Sequence, residues 1–343
     1  AQEPGDNCVG AEGFEYLCGL VSPEDLVQVP GTKWIIASGF AGGVSLSLVD
    51  SEQKTWIDWY PGEEPRARQD MHRYGACPGS PDPNRFEGHG LNIRAGSSAR
   101  STLYVVGHGE REAIEVFEVD ASGDVPELTW VGCVMTPDGM AANSVASLAD
   151  GSLLTTIPLH PGFDINQIFF GQPTGAVYSW APGDEGFVKV EGTEMPYANG
   201  IEVSADGEEF YIASSGLLKV LAFSNTNPAA LLRSSELLSF IPDNLRWDNE
   251  GRLMTAGLEV LDPVCGDVRL SGDFDFAWFM GCPRPFTVLA FDPQSMKGQA
   301  IVQSPAHAHF SNITTALTVD GEVWIGTFAG DRMAYRELKT GDD

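Results

Sequence analysis

A short hydrophobic run that ends in small residues recurs along the whole chain. Each run is rich in β-branched, aliphatic and aromatic residues, which is typical of a buried strand. Several runs follow a hairpin-type turn such as Asp150-Gly151 or Asp206-Gly207. The pattern therefore predicts short antiparallel strands. The six runs are residues 34–38, 103–107, 153–156, 210–214, 253–257 and 323–327.

The number and spacing of these runs predict the fold. Six repeats in 343 residues leave about 57 residues for each, enough for four short strands and their loops. We therefore expect an all-β, six-bladed β-propeller with four-stranded blades. The sequence shows no seventh run that would indicate another blade. Length alone would suggest two domains, but large β architectures run longer, so we predict one domain over 1–343. Irregular spacing predicts long insertions over one face, around 58–90, 157–175 and 258–285.

The charge of the chain excludes some classes of partner. It has 48 acidic and 20 basic side chains, giving a formal net charge of −28. Binding to nucleic acids or anionic membranes depends on lysine and arginine, so neither partner is expected. No uninterrupted apolar run approaches the roughly 18–20 residues that a membrane helix needs, so no membrane span is predicted. The sequence does not predict an oligomeric state.

The cysteines and the start of the chain indicate a compartment. Six cysteines are present and none forms a Cys-x-x-Cys pair, which disfavours zinc fingers and thioredoxin-type sites. The chain begins Ala1-Gln2-Glu3, as after signal-peptide cleavage, although a cloning artefact would give the same start. We expect an exported protein, periplasmic or extracellular, where disulfides persist. Cys265 and Cys282 are the expected pair, and the other four cysteines stay unassigned.

Side-chain oxygens precede the hydrophobic runs at a nearly constant distance. Glu24, Asn143 and Asp243 each lie 10 residues before a run, Asn199 lies 11 before, and Asn244 follows Asp243. Repeats related by rotation about one axis place equivalent positions on a ring around it. Turn capping explains any one asparagine, but it does not explain why these residues lie at nearly the same distance before each run. The five side chains are therefore expected to converge on the central channel.

Such a ring offers the oxygen ligands that a hard cation prefers. Ca²⁺ accepts roughly six to eight oxygens in a flexible geometry, whereas Zn²⁺ prefers cysteine or histidine. A cation held by two carboxylates and three carboxamides can polarise a substrate oxygen. The sequence predicts one catalytic Ca²⁺, held by Glu24, Asn143, Asn199, Asp243 and Asn244.

Two histidines are candidates for acid–base chemistry. His89 lies in a Gly-His-Gly segment 14 residues before Leu103, and His108 follows the strand that begins there. If His89 lies at the channel mouth, His108 can hydrogen-bond behind it, and the dyad suits activation of water. A surface histidine or a satisfied core histidine is the alternative for His108. Asp243 is the alternative base.

The insertion 258–285 carries a dense aromatic run between Cys265 and Cys282. Its alternation fits a buried strand, but the run interrupts the repeat directly after the blade of Asp243. Exposed aromatics in such number indicate that they cover something. We expect an aromatic-walled pocket over the ion, for bulky hydrophobic or aromatic substrates. The residues are Phe274, Phe276, Trp278, Phe279 and Met280, with Phe163, Phe169 and Phe170 in the insertion 157–175.

These segments together resemble the calcium-dependent six-bladed propellers of the paraoxonase and senescence-marker/gluconolactonase group. The resemblance covers most of the chain, and Asn199-Gly200-Ile201 followed by Ser204-Ala205-Asp206-Gly207 is its most specific part. It implies hydrolysis of lactones and aryl esters, with the five predicted ligands at the catalytic calcium and the two histidines at the dyad. The segments are Ser22-Pro23-Glu24-Asp25, His89-Gly90 with His108, Asn143-Ser144-Val145-Ala146, Ala198-Asn199-Gly200-Ile201 and Asp243-Asn244-Leu245.

Two departures from the group qualify the resemblance. Paraoxonases bind a second, structural calcium through an acid that follows the third-blade asparagine, and here that position is Ser144, although Asp25 is retained. The second ion is therefore doubtful. The disulfide that joins their N- and C-terminal strands also lacks its C-terminal cysteine, so closure is expected from strand pairing or from cysteines placed differently.

Three functions remain open on this fold, because fold alone does not decide function. The leading prediction is a metal-dependent hydrolase of a small-molecule lactone or aryl ester. A lyase or condensing enzyme similar to strictosidine synthase is the first alternative, but those relatives lack the metal. A non-catalytic propeller that binds a protein or sugar is the second.

Overall fold

The six predicted runs each form the second strand of a separate antiparallel sheet. The computed structural model describes residues 8–41, 44–269 and 274–338. The start Ala1-Gln2-Glu3, on which the export prediction partly rests, lies outside them. Six sheets arranged as blades confirm the all-β six-bladed propeller. No helix in the described ranges is long and apolar enough to cross a membrane.

The blades are named here in chain order, each from its inner to its outer strand. Blade 1 comprises Leu26–Gln28, Trp34–Ala41, Val44–Asp50 and Thr55–Tyr60. Blade 2 comprises Glu87–Ala95, Arg100–His108, Ala113–Asp120 and Glu127–Met135. Blade 3 comprises Val145–Ser147, Leu153–Ile157, Ala176–Trp180 and Val188–Lys189.

The second half of the chain repeats the arrangement. Blade 4 comprises Ala198–Val203, Glu209–Ser214, Lys219–Ser224 and Leu231–Ser234. Blade 5 comprises Leu245–Trp247, Leu253–Leu258, Phe286–Phe291 and Gly298–Ser304. Blade 6 comprises Ile313–Val319, Glu322–Thr327, Arg332–Glu337 and, from the start of the chain, Glu15–Cys18.

The six inner strands surround the axis. Each contacts the inner strands of the two neighbouring blades, and the contacts close into a complete ring. Val145, Ile201 and Leu245 are buried on these strands, which pack against the adjacent blades. The residues directly before or within the inner strands therefore lie close to the axis.

Strand pairing closes the ring. Glu15–Cys18 pairs antiparallel with Arg332–Glu337, so the first and last parts of the described chain share blade 6. Cys8 and Cys18 form a disulfide that holds the preceding segment against this strand. The sequence-based expectation of strand pairing is confirmed.

The insertions have different structures. The insertion 58–90 adds a fifth strand to blade 2, Arg66–Ala67, and is tied to the outer strand by the disulfide Cys77–Cys133. The insertion 157–175 contains a 3₁₀ turn, Ile165–Gln167. The insertion 258–285 contains a two-stranded sheet, Leu261–Asp262 with Gly266–Asp267, and a helix, Phe276–Gly281. The predicted disulfide Cys265–Cys282 is confirmed.

The strand alternative for the aromatic run is wrong. Asp275 caps the short helix by accepting a hydrogen bond from the backbone N–H of Trp278 at 3.1 Å. The helix turns Phe279 inward, whereas Trp278 is 51% exposed. Arg284 fixes the base of the insertion by donating to the carbonyls of Cys265 at 2.6 Å and Gly266 at 3.0 Å.

Candidate metal centre and active site

The five predicted ligands lie at the inner ends of four blades. Glu24 precedes the inner strand of blade 1, Asn143 that of blade 3, and Asp243 and Asn244 that of blade 5. Asn199 is the second residue of the inner strand of blade 4. Glu24, Asn143, Asn199 and Asp243 line one pocket, and Asn244 donates a hydrogen bond from Nδ2 to Glu24 Oε1 at 2.7 Å. We call these five side chains the oxygen cluster.

Two glycines permit this convergence. A Cβ atom at Gly200 would lie 2.5 Å from the backbone oxygen of Asp243, and one at Gly90 would lie 2.4 Å from that of Asn143. Only glycine allows the two backbones to approach so closely. The Asn-Gly and His-Gly dipeptides therefore bring each polar residue next to the ligand segment of the following blade.

Four oxygens of the cluster are buried and accept no hydrogen bond. They are Glu24 Oε2, Asn143 Oδ1, Asn199 Oδ1 and Asn244 Oδ1. The amide nitrogens of two carboxamides are used elsewhere, because Asn199 donates to Ser215 Oγ at 3.0 Å and Asn244 to Glu24. Burying a polar atom without a partner costs about 1–3 kcal/mol. Several such oxygens in one place fit a hard cation, because carboxylate and carboxamide oxygens are the donors Ca²⁺ takes.

The electrostatics of the cluster favour an added positive charge. Burial, and after it the carboxylates of Asp25 and Asp243, raises the pKa of Glu24 well above its usual value. Burial also raises the pKa of Asp243 to about 8, although a hydrogen bond from Asn199 acts in the opposite direction. A cation between these groups would stabilise both as carboxylates. No group of three or more histidine, cysteine and acidic side chains in the described ranges could hold a metal. Three of the five members of the oxygen cluster are carboxamides.

The two predicted histidines are hydrogen-bonded beside the cluster. His89 Nδ1 lies 3.0 Å from His108 Nε2, and His108 Nδ1 lies 2.5 Å from Glu112 Oε2. His89 Nε2 lies 3.7 Å from Glu24 Oε1. The ring of Phe40 stacks on His89 with centroids 4.2 Å apart, which fixes the plane of the imidazole.

This chain of hydrogen bonds links the tautomers of the two histidines. The Glu112 carboxylate only accepts, so His108 donates from Nδ1. With His108 accepting at Nε2, His89 donates from Nδ1 and keeps a lone pair at Nε2, on the side of Glu24. Burial, with a smaller contribution from His108, holds the pKa of His89 well below its usual value. His89 is therefore neutral at pH 7 and able to accept a proton.

An apolar pocket covers the oxygen cluster. Its cavity volume is about 140 Å³. Phe274, Phe276 and Phe279 come from the insertion 258–285, and Ile165 and Ile168 come from the insertion 157–175. Asn166 Oδ1 joins the two insertions by accepting from the backbone N–H of Phe276 at 3.1 Å. The other apolar and aromatic lining residues are Phe40, Tyr197, Ile241, Leu258, Ile313 and Phe328.

The aromatic residues of the insertion 157–175 lie outside the lining. Phe169 supports the wall from behind, with its ring 5.2 Å from that of Phe274 in an edge-on contact. Phe170 is 49% exposed, and Phe163 is not among the lining residues.

Sequence reasoning missed three residues of the site. Glu112 lies four residues after His108, but the chain has 48 acidic residues, so this spacing carried no signal. Phe40 follows a predicted strand without a polar marker. Tyr197 stands two residues before Asn199 with a left-handed backbone, φ 47°. Burial and the carboxylates of Asp243 and Glu24 raise the pKa of Tyr197, so its phenol stays protonated as a potential donor.

The comparisons with known proteins show the fold. No family profile and no curated protein matches the sequence. A luciferin-regenerating enzyme superposes with a TM-score of 0.55 at 12% identity, over 95% of this chain and 94% of that one. A putative gluconolactonase gives 0.54 at 13%, over 95% and 93%. Regucalcin, a calcium-binding protein from Agrobacterium tumefaciens, gives 0.55 at 11%, over 95% and 93%. These likenesses do not bear on the paraoxonases, and they show that the chain has the six-bladed propeller fold of gluconolactonase- and regucalcin-like proteins.

Proposed function

We propose that the protein is a calcium-dependent hydrolase of lactones or aryl esters that carry a bulky hydrophobic or aromatic group. The observation that carries the proposal is the set of unpaired buried oxygens at the bottom of an aromatic pocket, next to the hydrogen-bonded pair His89 and His108. A cation, a base and an apolar binding surface within one pocket are the parts that such a hydrolysis requires.

The residues that would hold the ion are those of the oxygen cluster: Glu24, Asn143, Asn199, Asp243 and Asn244. A bound Ca²⁺ would polarise the substrate carbonyl and stabilise the developing oxyanion. The two carboxylates would balance the ion, and their pKa values, raised by burial and then by neighbouring carboxylates, support the need for that charge.

His89 is the proposed general base. Its Nε2 takes a proton from water as the water oxygen forms a bond to the carbonyl carbon. The bond from that carbon to the alkoxide or phenolate oxygen then breaks, and the proton on Nε2 passes to the leaving oxygen. His108 and Glu112 hold the productive tautomer and stabilise the imidazolium that forms between the two steps.

The pocket wall supports the substrate class. Its lining is mostly phenylalanine, isoleucine and leucine, and its polar lining residues are concentrated in and beside the oxygen cluster. A sugar lactone would bury several hydroxyl groups against aromatic rings, at a cost of roughly 1–3 kcal/mol for each unpaired group. An aryl or long-chain lactone would fill the same space without that cost.

The cysteines support an oxidising compartment. All six are paired in three disulfides. Disulfides persist mainly in exported proteins, so we place the reaction outside the cytoplasm, in the periplasm or the extracellular space.

Metal analysis with a substrate panel tests the proposal. The intact chain is assayed on aryl esters, hydrophobic lactones and sugar lactones, before and after exhaustive chelation, with bound metal quantified in each sample. We expect one calcium per chain, hydrolysis that is lost on chelation, and recovery when calcium is returned.

Two outcomes would overturn it. Full activity after chelation, with no metal retained, would remove the metal from the mechanism. Bound calcium without turnover of any ester or lactone would leave a calcium-binding propeller of another function.

A further inference from the structure

A buried arginine lies on the axis, two residues beyond Asn244 on the inner strand of blade 5. Arg246 is 4% exposed, and its guanidinium has all five N–H donors hydrogen-bonded. The acceptors are Leu26 O at 2.9 Å, Leu245 O at 2.7 Å, Leu91 O at 2.7 Å, Glu202 Oε1 at 3.3 Å and Asp25 Oδ2. We call Arg246, Asp25 and Glu202 the arginine cluster.

The acceptors come from four different blades. Leu26, Leu91 and Leu245 are on the inner strands of blades 1, 2 and 5, Asp25 directly precedes that of blade 1, and Glu202 is on that of blade 4. Three backbone carbonyls and two carboxylates form an oxygen-only cage, which is the donor set that Ca²⁺ takes in proteins. The guanidinium fills this cage, so the residues present do not fit a second metal ion.

Ser144 does not contribute to the cage. Its hydroxyl oxygen accepts a hydrogen bond from the backbone N–H of Ile201 at 3.4 Å and so joins blades 3 and 4. Asp25 has both oxygens occupied, with Oδ1 accepting from Leu26 N at 2.8 Å and Oδ2 from Leu91 N at 2.7 Å and from Arg246. An added cation would find no free carboxylate oxygen at Asp25.

We propose that Arg246 is a covalently attached cation in a cage that would otherwise bind a divalent metal, and that truncating it opens a second calcium site. The wild-type chain then binds no ion at the arginine cluster, and the stability of that part of the axis does not depend on calcium.

The test compares Arg246→Ala with the wild type and with Arg252→Ala. Arg252 is in the same blade, its side chain is 31% exposed, and its partners Asp248 and Glu250 do not belong to the arginine cluster. Calcium per chain is measured after equilibration in millimolar calcium followed by gel filtration. We expect Arg246→Ala to hold one ion more than the wild type, and Arg252→Ala to hold the same number.

Thermal melting in chelator and in calcium gives the second readout. Removing one partner of a buried ion pair is strongly destabilising, so Arg246→Ala should melt roughly 5–10 °C below the wild type in chelator. Millimolar calcium should shift its Tm upward by more than it shifts that of the wild type, because two sites are filled instead of one. Arg252→Ala should show the same difference in Tm between calcium and chelator as the wild type.

The inference is overturned if Arg246→Ala binds no extra ion, or if its calcium-dependent shift in Tm equals that of the wild type. If Arg246→Ala does not fold, Arg246→Lys replaces it. Because Arg246→Lys keeps the positive charge, we expect soluble protein with a lower Tm and the wild-type number of bound calcium ions. An extra calcium ion in Arg246→Lys would contradict the inference. The quantity measured is the difference in bound calcium between Arg246→Ala and the wild type. If the wild type binds no calcium, the proposed catalytic calcium is refuted, but the difference between the two proteins still tests the role of Arg246.

Discussion

The oxygen cluster and the arginine cluster lie on the same axis and both contain buried carboxylates, but they differ in where the positive charge comes from. In the arginine cluster the chain supplies it, and every donor of Arg246 has a partner. In the oxygen cluster four oxygens accept nothing from the described residues. Glu24 and Asp25 are adjacent in sequence, yet Glu24 belongs to the first cluster and Asp25 to the second.

The difference separates a structural role from a functional one. Native proteins satisfy nearly all buried polar groups, so a set left unsatisfied needs an explanation such as a ligand. The arginine cluster needs none. The proposed cation would satisfy the oxygen cluster, which is also the one that opens into the aromatic pocket.

The largest expected effect comes from removing a charged member of the oxygen cluster. Asp243→Ala deletes one of the two carboxylates that would balance the ion, so we expect loss of bound calcium and a fall in kcat/KM of about 10³-fold or more. Asp292→Ala is the control, because Asp292 is an exposed turn residue of the same blade. Wild-type turnover in Asp243→Ala would place the catalytic ion elsewhere.

The second effect concerns the proposed base. His89→Gln should lower kcat by roughly 10²–10⁴-fold, the range that general acid–base catalysis supplies. His108→Gln should cost less, because His108 acts through His89. His160→Gln is the control, since His160 bonds Tyr178 and does not line the pocket. An unchanged rate in His89→Gln would transfer the role of base to Asp243.

The pH profile sharpens this second prediction. Burial lowers the pKa of His89 well below 6.5, and a nearby cation would lower it further. The neutral, proton-accepting form therefore persists as the pH falls through the ordinary histidine range. On the acid side, kcat/KM should fall with a midpoint below pH 6.5. A midpoint at or above pH 6.5 would contradict His89 as a base whose pKa is lowered by burial.

The third effect is on stability and concerns the arginine cluster. Burial raises the pKa of Glu202 from 4.5 to about 7, with Arg246 acting in the opposite direction. The folded state then binds more protons than the unfolded state between these values. The protonated carboxyl stabilises the fold fully below pH 4.5, and this contribution is lost as the pH rises through 7.

Glu202→Gln, which stays neutral, should remove that dependence. Between pH 5 and 8 the free energy of unfolding should fall less in Glu202→Gln than in the wild type. The difference between the two falls should be on the order of 3 kcal/mol. Glu250→Gln, a surface residue of the turn in blade 5, is the control. Parallel pH curves for Glu202→Gln and the wild type, measured by chemical denaturation, would contradict the assigned pKa.

The smallest expected effect is on selectivity. Phe276 lines the pocket and packs against Phe328, with ring centroids 6.0 Å apart. Phe276→Ala should lower kcat/KM for an aromatic lactone about 10-fold and leave a matched sugar lactone nearly unchanged. Trp278→Ala is the control, since Trp278 is on the same helix but does not line the pocket. A wild-type preference for the sugar lactone would refute the proposed substrate class.

The sequence predicted the blades because the repeat is carried by local patterns. Each hydrophobic run became a second strand, buried between an inner strand and a third strand of its own sheet. The disulfide Cys265–Cys282 was also predictable, because both cysteines bracket one insertion. The aromatic helix was not. Its alternation mimics a strand, and the Asp275 cap and its packing against the neighbouring insertion decide the conformation.

The sequence by itself indicated the five residues of the oxygen cluster, because rotation maps equal positions in each repeat to equal distances from the axis. It did not indicate Arg246 or Glu202, or that Glu24 and Asp25 belong to different clusters. That division depends on contacts such as Arg246 with Asp25, 221 residues apart, and Asn244 with Glu24, 220 apart. Blades 5 and 1 approach each other only when the ring closes, with blade 6 between them. The tertiary structure therefore decided that the chain supplies one axial cation itself and leaves the oxygens of the other site free for a ligand.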